Sequence, residues 1–270
     1  MVSRTIFDVE NLTYSYPGTG KVLNGISFTI SEGESVVVLG ANASGKSTLL
    51  KLLDGLCFAE IGRVEAFGET LLENSINKQF RKNVGLLFQN PDAQLFCTSV
   101  EEEVAFGPLQ LGMSESEVER RVADTLSMLG IEHLRERPPQ SLSGGEKKKV
   151  ALASIISCGQ KVILLDEPNA GLDPRTLQWL VEFLRMLNKS GVTLIAATHN
   201  LSFAADIADR ALILSEDHRL VYDGTIDGAL SDLELLLSVN LAHAHSHRHG
   251  GIVHEHPHLH EVAHDHEHVE

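Results

Sequence analysis

Gly40-Ala41-Asn42-Ala43-Ser44-Gly45-Lys46-Ser47 has the spacing G-x-x-x-x-G-K-[ST], which is that of a phosphate-gripping loop. Glycines let the backbone curl so that successive N–H groups face phosphate oxygens, and the start of a helix adds its dipole. Lys46 can reach the β- and γ-phosphates of a nucleoside triphosphate. The hydroxyl of Ser47 can face Mg²⁺, with Thr48 beside it at the helix start. A second acidic element, Asp166-Glu167-Pro168, closes an apolar run. A carboxylate in Asp166's place can hold the Mg²⁺ shell, and Glu167 can orient and deprotonate an attacking water. Such a pair is often only a solvated turn, but a phosphate loop in the same chain makes it the second half of one site.

A different chemistry is written at the far end. Eleven of the 14 histidines fall within residues 243–270. His243, His245, His247 and His249 alternate, as do His254, His256, His258 and His260, then His264, His266 and His268. In an extended chain, residues i and i+2 share a face, so imidazoles can converge on a metal without a folded site. Imidazole suits Ni²⁺, Co²⁺, Zn²⁺ and Cu²⁺, and the neutral ring is the ligand, so binding falls as pH drops through ~6.5. Glu255, Glu261, Asp265 and Glu267 add oxygen donors. An appended purification tag would be an uninterrupted run, whereas this stretch is interleaved with Pro, Glu and Val. With so few large apolar residues, 241–270 is expected to be disordered.

The elements that must position these groups read as an α/β domain over 1–240. Residues 6–12 and 26–30 alternate like half-buried antiparallel strands. Ser35–Leu39, Lys161–Asp166 and Val192–Thr198 are continuous apolar runs of the kind buried on both faces of a parallel sheet. Helices are expected from Lys46 to Leu56 and from about Pro174 to Asn188, and a helical insertion at about 90–150. The alternation of strand and helix implies a mainly parallel sheet with helices on its faces.

Bulk properties exclude several functions. The 270 residues carry 37 acidic against 22 basic side chains, a formal charge of −15. That disfavours nucleic acid as a partner, since phosphates need a surplus of Lys and Arg. Cys57, Cys97 and Cys158 are far apart and odd in number, so they predict buried thiols and a reducing compartment, not a disulfide framework. No stretch has the ~20 apolar residues of a membrane span, and the N-terminus does not read as a secretory signal.

The ordered set of motifs resembles the ATPase family of ABC transporters across roughly residues 5–230. Leu142-Ser143-Gly144-Gly145-Glu146 is similar to the LSGGQ signature, Gln89 to the Q-loop, Gly171-Leu172-Asp173 to the D-loop and Thr198-His199 to the switch histidine. Tyr16 occupies the place of the adenine-stacking aromatic, with Tyr14 a neighbouring candidate. The resemblance implies an ABC-type P-loop NTPase fold with an antiparallel β subdomain and a helical subdomain. It implies Mg²⁺ at Ser47, Gln89 and Asp166, and catalysis by Glu167, His199, Gln89 and Lys46. It also implies a dimer, with itself or a second ATPase, in which Ser143, Gly144 and Gly145 meet the γ-phosphate of the opposite subunit's ATP and Asp173 links the two sites. Two positions depart: Glu146 replaces the signature Gln, and Asn169-Ala170 precede the D-loop.

Gln89-Asn90-Pro91-Asp92-Ala93-Gln94-Leu95-Phe96, Tyr14-Ser15-Tyr16-Pro17-Gly18 and Glu101-Glu102-Glu103-Val104-Ala105-Phe106-Gly107-Pro108 further resemble the ATPases of energy-coupling-factor importers. That implies peripheral attachment at the cytoplasmic face of the membrane, through a membrane coupling subunit, beside a separate substrate-binding membrane subunit. With the histidine-rich tail, the resemblance points to the cobalt/nickel branch. A zinc or vitamin importer with a metal-buffering tail, and a soluble non-transport ATPase, are the alternatives.

Overall fold

The structure, a computed structural model, describes residues 4–249 and 252–259. In chain order it runs β1 (Thr5–Ser15), β2 (Lys21–Ser31), β3 (Ser35–Leu39), α1 (Lys46–Leu53), β4 (Ile61–Ala66), β5 (Glu69–Thr70), α2 (Lys78–Asn83) and β6 (Val84–Leu87). A helical stretch follows: α3 (Val100–Gln110), α4 (Glu115–Leu129) and α5 (Gly144–Ile156). Then come β7 (Val162–Asp166), α6 (Pro174–Lys189), β8 (Thr193–Thr198), α7 (Leu201–Ile207), β9 (Arg210–Leu214), β10 (Leu220–Thr225), α8 (Ile226–Ser231) and α9 (Leu233–Ser238).

Two sheets result. β2-β1-β4-β5 is antiparallel, and β10-β9-β3-β8-β7-β6 is parallel except for the β9–β10 pair. The five residues of β3 are all buried, as its unbroken SVVVL run demands. Side chains alternate faces along a strand, and the core divides accordingly. Val37, Leu39, Ile163, Leu165, Leu194 and Ala196 pack with α3 to α7. Val36, Val38, Val162, Leu164, Ile195 and Ala197 face α1 and the antiparallel sheet.

The register decides where chemistry happens. Leu39 pairs with Thr198, Asp166 with Ala197, and Leu87 with Leu165. The loops holding residues 40–45, 167–173, 88–99 and 199–200 therefore leave the sheet along one edge, at the carboxyl ends of parallel strands, where open α/β sheets bind ligands.

Caps fix the helices above that edge. Ser114 caps α4, which stops at Gly130 in a left-handed conformation (φ 64°). Ser143 caps α5 and exchanges hydrogen bonds with Glu146, a capping box. Three expectations differ from the structure. The helix predicted to reach Leu56 ends at Leu53, because Asp54 and the left-handed Gly55 break it. Of the three cysteines only Cys158 is buried; Cys57 and Cys97 are half-buried. The tail, expected to lack structure, pairs β11 (Ala242–His249) with β12 (Ile252–Leu259) antiparallel, since an alternation with period two is also that of a strand.

Candidate nucleotide and magnesium site

The phosphate loop is folded by sterics. Gly45 takes φ 108°, and a Cβ there would lie 2.4 Å from the Val22 carbonyl oxygen. A Cβ on Gly40 would lie 2.5 Å from Ser44 Oγ and 2.7 Å from the Leu214 carbonyl. Only glycine fits at either place. The loop and α1 wall a cavity of about 470 Å³ lined by Asn42, Ala43, Gly45, Lys46, Ser47 and Thr48, together with Val22, Gln89, Glu167, His199 and His218.

Lys46 is buried, and its Nζ donates to the carbonyls of Gly40 (2.8 Å) and Ala41 (3.0 Å) while lying 3.7 Å from Glu167 Oε1. Burial pushes its pKa down, against the pull of Glu167 and Asp166. Ser47 Oγ donates to Asp166 Oδ1 at 2.8 Å. Burial raises the Asp166 pKa, and the Ser47 bond opposes that rise. The donor set of Ser47, Asp166 and the nearby Gln89 is all oxygen, the chemistry that Mg²⁺ requires, so the residues present fit that ion.

Glu167 is bound on several sides. Its Oε1 lies 2.9 Å from His199 Nδ1, and its Oε2 lies 3.1 Å from Thr198 Oγ1. Thr198 Oγ1 also stands 3.0 Å from Asn169 Oδ1. The Glu167 backbone sits at φ 43°, a left-handed conformation that costs a non-glycine residue ~1–3 kcal/mol and clusters at functional sites. Its N–H donates to the Ala197 carbonyl at 2.9 Å, so the sheet edge holds that conformation in place.

The ABC transporter family matches residues 23–170, more than half of the chain. This chain belongs to the ABC transporter ATPases. A putative ABC transporter ATP-binding protein of Methanosarcina acetivorans is 50% identical over 254 residues, 91% of this chain and 92% of that protein. The energy-coupling factor transporter ATP-binding protein EcfA of Methanococcus maripaludis is 40% identical over 87% of this chain and 85% of its own length. Among solved structures, cbiO1 of Clostridium perfringens, part of the ABC transporter complex cbiONQ, superposes with a TM-score of 0.76 at 35% identity, covering 88% of this chain and 95% of that one. The chain is thus an ATPase subunit of the energy-coupling-factor type. Among the described residues, no helix is long and apolar enough to cross a membrane.

In this ABC ATPase the cavity brings together nine of the candidate residues: Asn42, Ala43, Gly45, Lys46, Ser47, Thr48, Gln89, Glu167 and His199. Gly40, Ala41 and Ser44 belong to the loop without lining the cavity, and Asp166 is tied to the cavity through its bond from Ser47. Tyr16 donates to or accepts from Thr48 Oγ1 at 3.3 Å and meets Tyr14 edge-on at 5.1 Å. Tyr14 packs against the core, and its phenol, bonded to Cys57, is pushed up to about 12. Asp173 caps α6, accepting from the N–H groups of Arg175 (3.0 Å) and Thr176 (3.1 Å). Ser143, Gly144 and Gly145 do not line the cavity of their own chain; Ser143 and Gly144 are exposed. His260 lies outside the described residues, and His243, His245, His247, His249, His254, His256 and His258 are described in backbone only.

Two residues escaped the sequence reading. His218, in the β9–β10 turn at φ 62°, lines the cavity and has Nδ1 3.3 Å from the Ser44 carbonyl. Lys148 of α5 is buried and donates to the Gln89 carbonyl at 3.0 Å. Burial lowers its pKa, while Asp166 and Glu167 act in the other direction.

Proposed function

We propose that this chain is one of a pair of ATPases that grip a membrane coupling subunit at the cytoplasmic face of the membrane. Together they drive the import of Co²⁺ or Ni²⁺ captured by a separate small membrane protein. The observation that carries the motor is the placement of Glu167 at the mouth of the phosphate loop, with one carboxylate oxygen 2.9 Å from His199 Nδ1 and 3.7 Å from Lys46 Nζ. A carboxylate so held can take a proton from a water aligned with the γ-phosphate.

In this reading the loop N–H groups and Lys46 bind the β- and γ-phosphates, and Tyr16 stacks on the adenine. His199 keeps Glu167 and the water in line. Ser47, Asp166 and Gln89 would hold Mg²⁺, which would supply positive charge to the phosphates. A second cassette supplies Ser143, Gly144 and Gly145, a role favoured by the exposure of Ser143 and Gly144 and by the absence of all three from the lining of their own cavity. Asp173 lies at the contact between the two copies. The partnership with a membrane subunit draws support from cbiO1 being part of a transporter complex and from the coupling-factor name of the M. maripaludis relative.

The cargo reading rests on the alternating histidines of 243–260. Their donor type suits late first-row divalent ions. The experiment is metal uptake by cells that also hold the membrane subunits, comparing the intact chain with Lys46→Ala. Collapse of ⁶³Ni²⁺ or ⁵⁷Co²⁺ uptake in the variant is expected. Unchanged uptake with ATPase abolished would mean that the motor serves another substrate.

A further inference from the structure

Lys148 is a buried cation with fewer partners than its burial demands. The residue is 3% exposed, and its ammonium, which carries three donors, gives one hydrogen bond, to the Gln89 carbonyl at 3.0 Å. Burying a charge is costly unless something compensates it. Here the compensation acts through space, from Asp166 and Glu167. The lysine stands on α5, the helix that the signature residues begin, and not on β7, which ends at Asp166 just before Glu167.

We infer that Lys148 is a positioning residue of the hydrolysis site: it anchors the backbone at Gln89 and places on the signature helix a positive charge that opposes a divalent cation at Ser47 and Asp166. The inference rests on reading those two residues as the Mg²⁺ site. Displacement of α5 away from the sheet edge weakens the opposition. The position of that helix and the hold on Mg²⁺ are therefore linked, and by thermodynamic reciprocity each biases the other.

The test is the affinity of a fluorescent ADP analogue, measured with excess Mg²⁺ and again with EDTA, in the full chain and its variants. The dissociation constant in EDTA divided by that in Mg²⁺ reports Mg²⁺ coupling without any turnover. Lys148→Met and Lys148→Gln should raise it roughly tenfold, the scale of losing one unit charge near a divalent ion at a partly screened site. Lys148→Arg should leave it within about twofold. Lys148→Gln keeps a donor for the Gln89 carbonyl, so it carries the test if the methionine variant fails to fold. A ratio unchanged in the neutral variants, with only the melting temperature altered, makes Lys148 a packing residue and overturns the inference. So does an arginine variant that moves as far as methionine. Asp166→Asn checks the underlying reading separately: it should bring the ratio close to one. If it keeps the wild-type ratio, the Mg²⁺ assignment fails whatever Lys148 does.

Discussion

Glu146 ties up Ser143 of the signature segment. Its Oε2 accepts from the Ser143 N–H at 2.8 Å and from the Ser143 hydroxyl at 2.7 Å. Those bonds hold its pKa down, so the side chain is an anion at neutral pH. They also occupy the donors proposed to meet the γ-phosphate of the opposite subunit. ATP must then displace a carboxylate, and bring its own negative charge toward it. Glu146→Gln should raise the steady-state ATPase rate at saturating ATP severalfold, since a charge-assisted bond exceeds a neutral one by about 1 kcal/mol. An equal or lower rate in the variant removes Glu146 as a brake. Gly40 to Ser47 and the Asp166-Glu167 pair stood out in the sequence because their spacing is local and adjoins a buried strand, whereas a lone His199 was singled out only by the order of the family motifs. Lys148 was not, because it sits within Lys147-Lys148-Lys149, which reads as a solvated cationic face. Burial of one lysine out of three is a tertiary fact.

At the scale of elements, legibility followed the pattern of burial. β3, β7 and β8 announce themselves as unbroken apolar runs. β4, with three of its six residues exposed, and the solvent-facing β10 carry no such signal. The end of α1 depends on Asp54, which is buried and bonded to Arg81 of α2 at 2.8 Å, with Oδ1 left without a partner. An acidic group at a helix C-terminus opposes the dipole, and burial pushes its pKa up to about 6. The folded form therefore holds this proton more tightly than the unfolded chain does. The stability it contributes is fully present below about pH 3.9 and is lost as pH rises through about 6, at most about 3 kcal/mol. Denaturant melts of wild type and Asp54→Asn should diverge accordingly, with the wild type losing ground to the variant between pH 4 and 7. A difference that stays constant with pH would mean that Asp54 does not titrate in that window.

For the whole molecule, the division between a packed cassette and a histidine-rich end predicts separable properties. A chain stopped after Ala242 keeps Leu241 and Ala242, which pack into the core. It should retain its ATPase rate but lose Ni²⁺ and Co²⁺ retention in equilibrium dialysis. In the full chain, retention should fall as pH drops through ~6.5, where imidazole protonates. Equal retention by the shortened chain would place the metal elsewhere. The shared edge of the parallel sheet has a consequence of another kind. Asp166 ends one strand and His199 follows the end of its neighbour, and the ladder in which Asp166 faces Ala197 sets how far along the sheet each of them sits. A slip of one residue would move one group about 3.3 Å along the other and turn alternate side chains to the opposite face. No small adjustment of the loops repairs that, so misassembled molecules are inert rather than slow. A preparation of uneven quality should behave as a mixture of full-speed and dead enzyme, and counting occupied sites per chain will judge it better than its average rate.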